Sequence, residues 1–493
     1  MNQLIGVVFL LTSMLSGCSR KMSDDQQATR QMDSVFLYLD KDTVFSGMNK
    51  NLKIRVCAYP AGSVQSVIIR KGNKVLKDLL VVPKDKLEVG ENDSVFYQFS
   101  RQVNNDFLEN QDTLIMSFSV KGQDGKEYSL RKLKIDNRTG LFATQVHLLA
   151  RVTGADLKIG NTFTRVNANH TASLYDVGCT DLGIMWAMDN GKIGVAFGDT
   201  QGQSFIPQGA GGPNGGNWRS NVLGFSNRSD QDNLDKGLVF SGMLTSEQQP
   251  DVAVEFIHSP HNTSGTGSYT AIPTGAIHAN GKDYIHYMDV RSWGEAGKWL
   301  TNFSGFSVSE DNGRTWMVAP GIDFAGNSNF AQVGMDKKDG FIYIMGTPSG
   351  RVGAAYLARV AESGLLDKSQ YSFWNKTKGW VKGISAEKEA TVVVAAPVSE
   401  LSIHYSARFK RWLLTYLDPN RNAIVLKQTK DITGPWSDPQ DLVSSTADNY
   451  YYGGLYGGFM YPLETKDNSL YFTMSIWYPY NVFWMRADLK LVE

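Results

Sequence analysis

From Val146 to Glu493 the sequence reads as β-strands throughout, in segments of similar design. Gly183 to Phe197 opens one segment. Tyr269 to Asp289 opens a second, which closes at Ser307 to Val318. Ala331 to Arg359, Ser402 to Trp436 and Tyr452 to Leu489 supply three more. Antiparallel units repeated along a chain, with loose repeat lengths, point to radial repetition around an axis. The expectation for residues 146–493 is a five-bladed β-propeller.

The preceding residues differ in composition. All 11 Trp fall between Trp186 and Trp484. From Ser34 to Asn137 the pattern is short alternating strands: Val35 to Leu39, Leu52 to Val56, Val64 to Ile69, Val95 to Phe99 and Leu114 to Val120. Turn signals such as Lys71-Gly72-Asn73 and Gln123-Asp124-Gly125 separate them. This density of strands predicts an immunoglobulin-like β-sandwich over residues 34–137, serving as a spacer. The fold class is therefore all-β.

Residues 1–18 read as a targeting segment. Leu4 to Leu11 is apolar but too short to span a bilayer. It leads into Leu15-Ser16-Gly17-Cys18, which resembles a bacterial lipobox and implies cleavage before Cys18 and lipidation of that residue. Residues 19–33 are polar, as a tether would be. Asp24-Asp25 resembles the signal that sends some Bacteroidetes lipoproteins to the cell surface. The expectation is an outer membrane lipoprotein, surface-exposed, with the periplasmic side as the alternative. Lys+Arg and Asp+Glu both number 49, so no net charge draws the chain to nucleic acid. Cys57 and Cys179 fall in different expected domains, which argues against a disulfide between them.

The chemistry concentrates in Gly178 to Thr200. Leu182 to Ala187 and Ile193 to Phe197 are strand-like runs, and Asp189-Asn190-Gly191 between them signals a hairpin. A turn centred on Asn190 sets Asp181 opposite Asp199, and directly opposed residues have Cβ atoms about 4.5–5.5 Å apart. Two carboxyls that close cannot both ionise freely, so one keeps its proton towards neutral pH. One acid beside one charged carboxylate is what glycoside hydrolysis requires, and a separation near 5 Å points to retention of configuration. The competing reading makes both aspartates strand-end residues bonded to nearby backbone.

Other motifs specify architecture or exclude chemistry. Ser309-Glu310-Asp311-Asn312-Gly313-Arg314-Thr315-Trp316 matches the Asp-box pattern of sialidase-like propellers, with Asp311 structural. Thr433-Gly434-Pro435-Trp436-Ser437 resembles the outer-strand turn of sugar-active propellers. The loop holding Gly209, Gly211, Gly212, Gly215 and Gly216 lacks the Gly-Lys-Ser/Thr of a phosphate loop. His258-Ser259-Pro260-His261 has metal-ligand spacing but no third ligand, so no metal or cofactor is expected.

Several stretches together resemble one family. They are Thr180-Asp181-Leu182-Gly183, Phe197-Gly198-Asp199-Thr200, Trp218-Arg219-Ser220-Asn221 and Pro273-Thr274-Gly275. They continue with Gly346-Thr347-Pro348-Ser349-Gly350-Arg351, Glu400-Leu401-Ser402-Ile403-His404-Tyr405 and Trp477-Tyr478-Pro479-Tyr480-Asn481-Val482. Their order resembles the former domain of unknown function 4185, now glycoside hydrolase family 183. That resemblance implies a five-bladed propeller and an endo-D-arabinanase that cleaves mycobacterial arabinogalactan and lipoarabinomannan. It places the paired catalytic aspartates at Asp181 and Asp199. Glu400 is a third candidate carboxylate, with an ion pair to Arg351 as the competing reading. Arg219, Asn221, His286, Arg291, Arg351, Tyr456 and Trp477 are candidate substrate-binding residues; strand-borne Arg and Tyr also serve structure. His404 stands where relatives are expected to carry Arg. The rival functions are a non-catalytic glycan-binding lipoprotein and a propeller glycosidase of sialidase type, which would use an Arg cluster and a Tyr nucleophile.

Overall fold

The computed structural model describes residues 36–39, 44–46, 51–59, 61–71, 81–89, 95–102, 113–136, 140–154, 167, 169–205, 215–445 and 454–492. The expected signal segment and tether, Cys18, the Gly72-Asn73 turn, and Gly209, Gly211 and Gly212 lie outside them. The chain divides into two units, Met1–Gly140 with Val492–Glu493, and Leu141–Leu491.

Among the described residues the first unit holds two sheets. One has the strand order Phe36–Leu39, Asn51–Tyr59, Val95–Gln102, Glu88–Val89. The other runs Val44–Ser46, Glu127–Asp136, Thr113–Gly122, Val64–Lys71, Val82–Pro83. Alternating apolar residues meet between them: Phe99 and Phe118 are buried, with rings edge-on at 6.5 Å. Gln123-Asp124-Gly125 turns as its residues dictate, with Gly125 at φ 78° and the Asp124 carboxylate accepting the Lys126 N–H at 3.0 Å.

Among the described residues the second unit contains five antiparallel sheets of four or five strands and a two-stranded ribbon. Their first strands are Leu182–Ala187, Thr270–Ala279, Gln332–Lys338, Leu401–Ser406 and Leu455–Met460. Each touches the next, and Leu455–Met460 touches Leu182–Ala187, so these strands follow one another in a ring. Close approach there needs small residues. A Cβ on Gly275 would lie 2.6 Å from the Val333 carbonyl oxygen of the neighbouring first strand. The expected start at Val146 falls inside the strand Gly140–Arg151, which pairs not with its sequence neighbours but with Asn481–Val492. The two ends of the unit are thereby hydrogen-bonded into one sheet.

The Asp box serves its own turn. Asp311 Oδ1 accepts the Thr315 N–H at 2.8 Å, and Ser309 Oγ accepts the Gly313 N–H at 2.8 Å. Trp316, which the turn presents, packs edge-on against Trp186 at 6.2 Å. A buried polar chain joins the first and second sheets of the unit. Asp283, 1% exposed, accepts Trp186 Nε1–H at 2.9 Å and faces His278 Nδ1 at 2.8 Å. His278 Nε2 in turn faces Asp189 at 3.0 Å. Replacing Asp283 by Ala strands two buried donors and is expected to cost about 3–5 kcal/mol in denaturant unfolding. Asp283→Asn, which retains an acceptor, is expected to cost less.

Candidate active site

The hairpin turns where the sequence places it. Ala187 pairs with Ile193 and Ile184 with Ala196, a register centred on Asn190, and Gly191 takes φ 76°. A bulge then breaks the frame. Leu182 (φ 69°) and Gly183 (φ 86°) both adopt left-handed backbone, and Leu182 pairs with Phe197. One residue further, the Gly198 N–H bonds the Asp181 carbonyl at 3.3 Å. Beyond the bulge Cys179 pairs with Gln201, so the register centred on Asn190 returns there, with Asp181 and Asp199 at the transition. Gly198 is required at this point, since a Cβ there would sit 2.4 Å from Asp181 Oδ1. Beyond it the ribbon is clamped again by the Thr180 and Thr200 hydroxyls, 2.7 Å apart.

The two carboxyls are braced from different neighbours. Asp181 Oδ2 accepts the Tyr480 hydroxyl at 2.9 Å and the Tyr456 hydroxyl at 3.1 Å. Its Oδ1 is buried and has no hydrogen-bond partner among the described residues. Asp199, 5% exposed, accepts Trp218 Nε1–H at 2.9 Å and the Thr270 hydroxyl at 2.7 Å, both at Oδ1. Tyr456 belongs to the sheet on one side of the hairpin and Thr270 to the sheet on the other. Burial, and then the charge of Asp199, push the Asp181 carboxyl up to about 7 against the pull of its two tyrosines. Burial lifts Asp199 to about 6, opposed by the bonds from Thr270 and Trp218 and by the nearby His261.

Glu400 is held by Arg351, with Nη2 to Oε1 at 2.7 Å and Nε to Oε1 at 3.0 Å, and by the Ser399 hydroxyl. Burial would raise the Glu400 carboxyl, but Arg351 and Ser399 together keep it below its ordinary value. The Arg351 guanidinium lies 4.8 Å above the Tyr456 ring and 5.6 Å from that of Trp299, so the pair adjoins the Asp181 tyrosines. Trp477 is 44% exposed and stands edge-on to Tyr480 at 5.5 Å.

Three expected substrate-binding residues are committed to structure instead. Arg219 donates to the backbone carbonyls of Asn217, Ala253 and Asp176. The buried Asn221 amide donates to Ile257 and Ala271 carbonyls and accepts the Phe256 and Ile257 N–H groups, leaving no capacity for a sugar. His286 is fully buried beside Phe306, with Nδ1 against the Thr274 hydroxyl at 2.6 Å, and burial takes it down to about 3. Arg291 is half-buried on the strand Lys282–Trp293, and no hydrogen bond joins it to either aspartate. The sequence reading missed Trp218, Thr270, Tyr480, Glu255 and His261. Trp218 and Tyr480 sat within quoted motifs but had no assigned role. His261 was legible only as half of a His-x-x-His spacing. Cys179 is free and buried. Among the described residues no group of three or more His, Cys, Asp or Glu could hold a metal ion, and no helix is long and apolar enough to cross a membrane.

Residues 167–486 match the family described as "Domain of unknown function (DUF4185)", and the chain belongs to that family. It is similar to notoamide biosynthesis cluster protein J of Aspergillus sp. (strain MF297-2), 26% identical over 318 residues, covering 62% of this chain and 80% of that protein. The J' protein of Aspergillus versicolor is 25% identical over 316 residues, covering 62% and 82%. Among solved structures, a Hadza microbial sialidase aligns with TM-score 0.40 and 11% identity over 90% of this chain and 93% of its own. A family 117 glycoside hydrolase from Zobellia galactanivorans gives 0.38 and 12% over 71% and 92%. The Bacillus subtilis arabinanase gives 0.32 and 12% over 65% and 94%.

The raised carboxyls carry a stability consequence. A folded-state value above the ordinary 3.8 means that ionisation opposes folding. The penalty is absent below about pH 4, grows through the raised values, and is complete above about pH 7. Asp181→Asn and Asp199→Asn are therefore expected to raise Tm by several degrees at pH 8, with the gain shrinking towards pH 4 in a thermal melt series.

Proposed function

We propose that the second unit is a five-bladed β-propeller that hydrolyses D-arabinan of the mycobacterial arabinogalactan and lipoarabinomannan type, as a member of glycoside hydrolase family 183. In this reading the first unit is an immunoglobulin-like spacer. The observation that carries the proposal is the Asp181/Asp199 pair, two buried carboxyls at one hairpin end with different proton affinities. Asp181, the harder to ionise, is the general acid; Asp199 is the general base.

The chemistry follows from that assignment. Asp199 takes a proton from a water whose oxygen attacks the anomeric carbon. As the glycosidic C–O bond breaks, Asp181 passes its proton to the departing oxygen. Exchange with solvent then restores both carboxyls. The braces of the two carboxyls lie on opposite flanks of the ribbon, which supports a gap wide enough for this water. Inversion needs roughly 6.5–9.5 Å between carboxyls, against about 5–5.5 Å for retention. Trp477 and the Arg351–Glu400 pair are the remaining candidates for holding substrate, next to the acid.

Purified protein incubated with mycobacterial arabinogalactan is expected to release oligosaccharides, with the anomeric configuration inverted in NMR of the first products. Asp181→Asn and Asp199→Asn should each lower kcat by about 10²–10⁴-fold. The active form has Asp199 ionised and Asp181 protonated, so kcat/KM should be bell-shaped with limbs near about 6 and about 7. No release by the wild type, or undiminished release by both variants, would refute the assignment.

The lipobox-like Leu15-Ser16-Gly17-Cys18 supports an outer membrane lipoprotein, with the spacer carrying the propeller away from the bilayer. Cys18→Ser is expected to move the chain from the membrane pellet to the soluble fraction and to abolish labelling by a palmitate analogue.

A further inference from the structure

The base proposed above has a second layer that the catalytic pair does not explain. Trp218, whose indole N–H bonds Asp199 Oδ1 at 2.9 Å, carries the His261 ring flat against it, centroids 4.0 Å apart and planes 29° apart. Tyr269 leans on the same indole at 5.0 Å. His261 is fixed in turn. Its Nε2 lies 3.0 Å from Glu255 Oε2 and 3.0 Å from the Ser220 hydroxyl. The Glu255 carboxyl is itself anchored by backbone donors, Ser220 N–H to Oε2 at 2.7 Å and Ser259 N–H to Oε1 at 2.8 Å.

Those contacts determine what His261 presents. Both Glu255 oxygens accept, so Glu255 is a carboxylate, and an imidazole nitrogen 3.0 Å from a carboxylate oxygen must carry a proton. His261 Nε2 is therefore an N–H donor. Because Ser220 and Glu255 meet the same ring nitrogen, this is not a serine–histidine–acid triad, in which the acid would hold the other nitrogen. His261 also has φ 51°, a backbone conformation costly for a non-glycine residue.

We propose that His261, clamped by Glu255 and Ser220 and stacked on Trp218, is a positioning residue that aims the Trp218 N–H at Asp199 and keeps Asp199 in its charged, water-activating form. It touches neither Asp199 nor the expected substrate directly in this arrangement. Two physical effects act together. The stacked ring fixes the tilt of the indole, and His261 nearby favours the charged form of Asp199. The other ionisable groups around this layer include Asp181, Tyr269, Arg219, which interacts with Glu255, and the exposed His258, which lies 3.3 Å from Glu255 Oε1. The inference rests on Asp199 being the base in the proposed hydrolysis, yet it can be tested without turnover.

The test uses the full chain with ¹³C-labelled aspartate carboxyls, the Asp199 signal being assigned by its loss in Asp199→Asn. In His261→Gln and Glu255→Gln, Asp199 should titrate about half a pH unit or more higher than in wild type. In assays on arabinogalactan the acidic limb of kcat/KM should move up by the same amount, with KM little changed. Trp218→Phe keeps the stack and removes only the N–H, so it must reproduce the shift; it also stands in should His261→Gln fail to fold. An unmoved Asp199 titration in folded Trp218→Phe or His261→Gln overturns the inference while leaving the hydrolase reading intact. A shifted titration in a chain that releases no sugar upholds the inference and counts against that reading.

Discussion

The site depends on taking two carboxyls out of water at the end of a single β-ribbon and giving neither a cation of its own. Desolvation first, and then neighbouring carboxylates, penalise their charged forms, and neutral donors repay only part of it: two tyrosine hydroxyls on Asp181, an indole and a threonine hydroxyl on Asp199. A guanidinium in hydrogen-bond contact would reverse the balance. Arg351 is near enough to stack on Tyr456, but its donors are engaged by Glu400. Glu400 thus has an electrostatic consequence for Asp181, since it engages the Arg351 cation beside the tyrosines and adds a negative charge of its own. An acid buried without a counter-ion stays protonated to higher pH, which is the state a proton donor needs.

Backbone geometry makes that burial possible. Two consecutive left-handed residues, Leu182 and Gly183, spend one residue of register just after Asp181. Gly198 then offers a bare Cα to the Asp181 carboxyl, and the Thr180–Thr200 contact closes the ribbon beyond. The bulge is tolerated because the strand is buried on both faces, between Leu455–Met460 and Thr270–Ala279, whose contacts fix its position independently of the ladder. The braces for the carboxyls come from those same two sheets. Ring and site are therefore one construction, and loosening either flank would release one carboxyl.

Much of this was legible in the sequence, and the failures have physical causes. Strand segments and the Asn190 turn were readable because period-two alternation and Asp-Asn-Gly turn chemistry are local properties. The bulge was not, because Leu182 gives no sign that it will adopt φ 69°; only the packing around it imposes that. The pairing of Gly140–Arg151 with Asn481–Val492 joins segments more than three hundred residues apart, which no local pattern encodes. Arg219, Asn221 and His286 were misread for a related reason. A polar side chain that satisfies buried backbone groups where sheets meet has the same composition and motif context as one that binds a sugar, and only its partners tell them apart.

Two chemically identical residues at one hairpin end become different acids through the kind of donor each receives. Tyrosine hydroxyls can turn away from Asp181 or accept from it, since an O–H rotates, so Asp181 can carry its proton without stranding a donor. The indole N–H on Asp199 has no such freedom, being a fixed donor that cannot accept. Protonating Asp199 weakens that bond outright, and this favours the charged form whatever the burial cost. The proposed division of roles thus rests on the side chains around the pair, on two rotatable hydroxyls at Asp181 and on the rigid, stacked indole that joins the Thr270 hydroxyl at Asp199. Exchanging those partners would be expected to exchange the roles, even with both aspartates left in place.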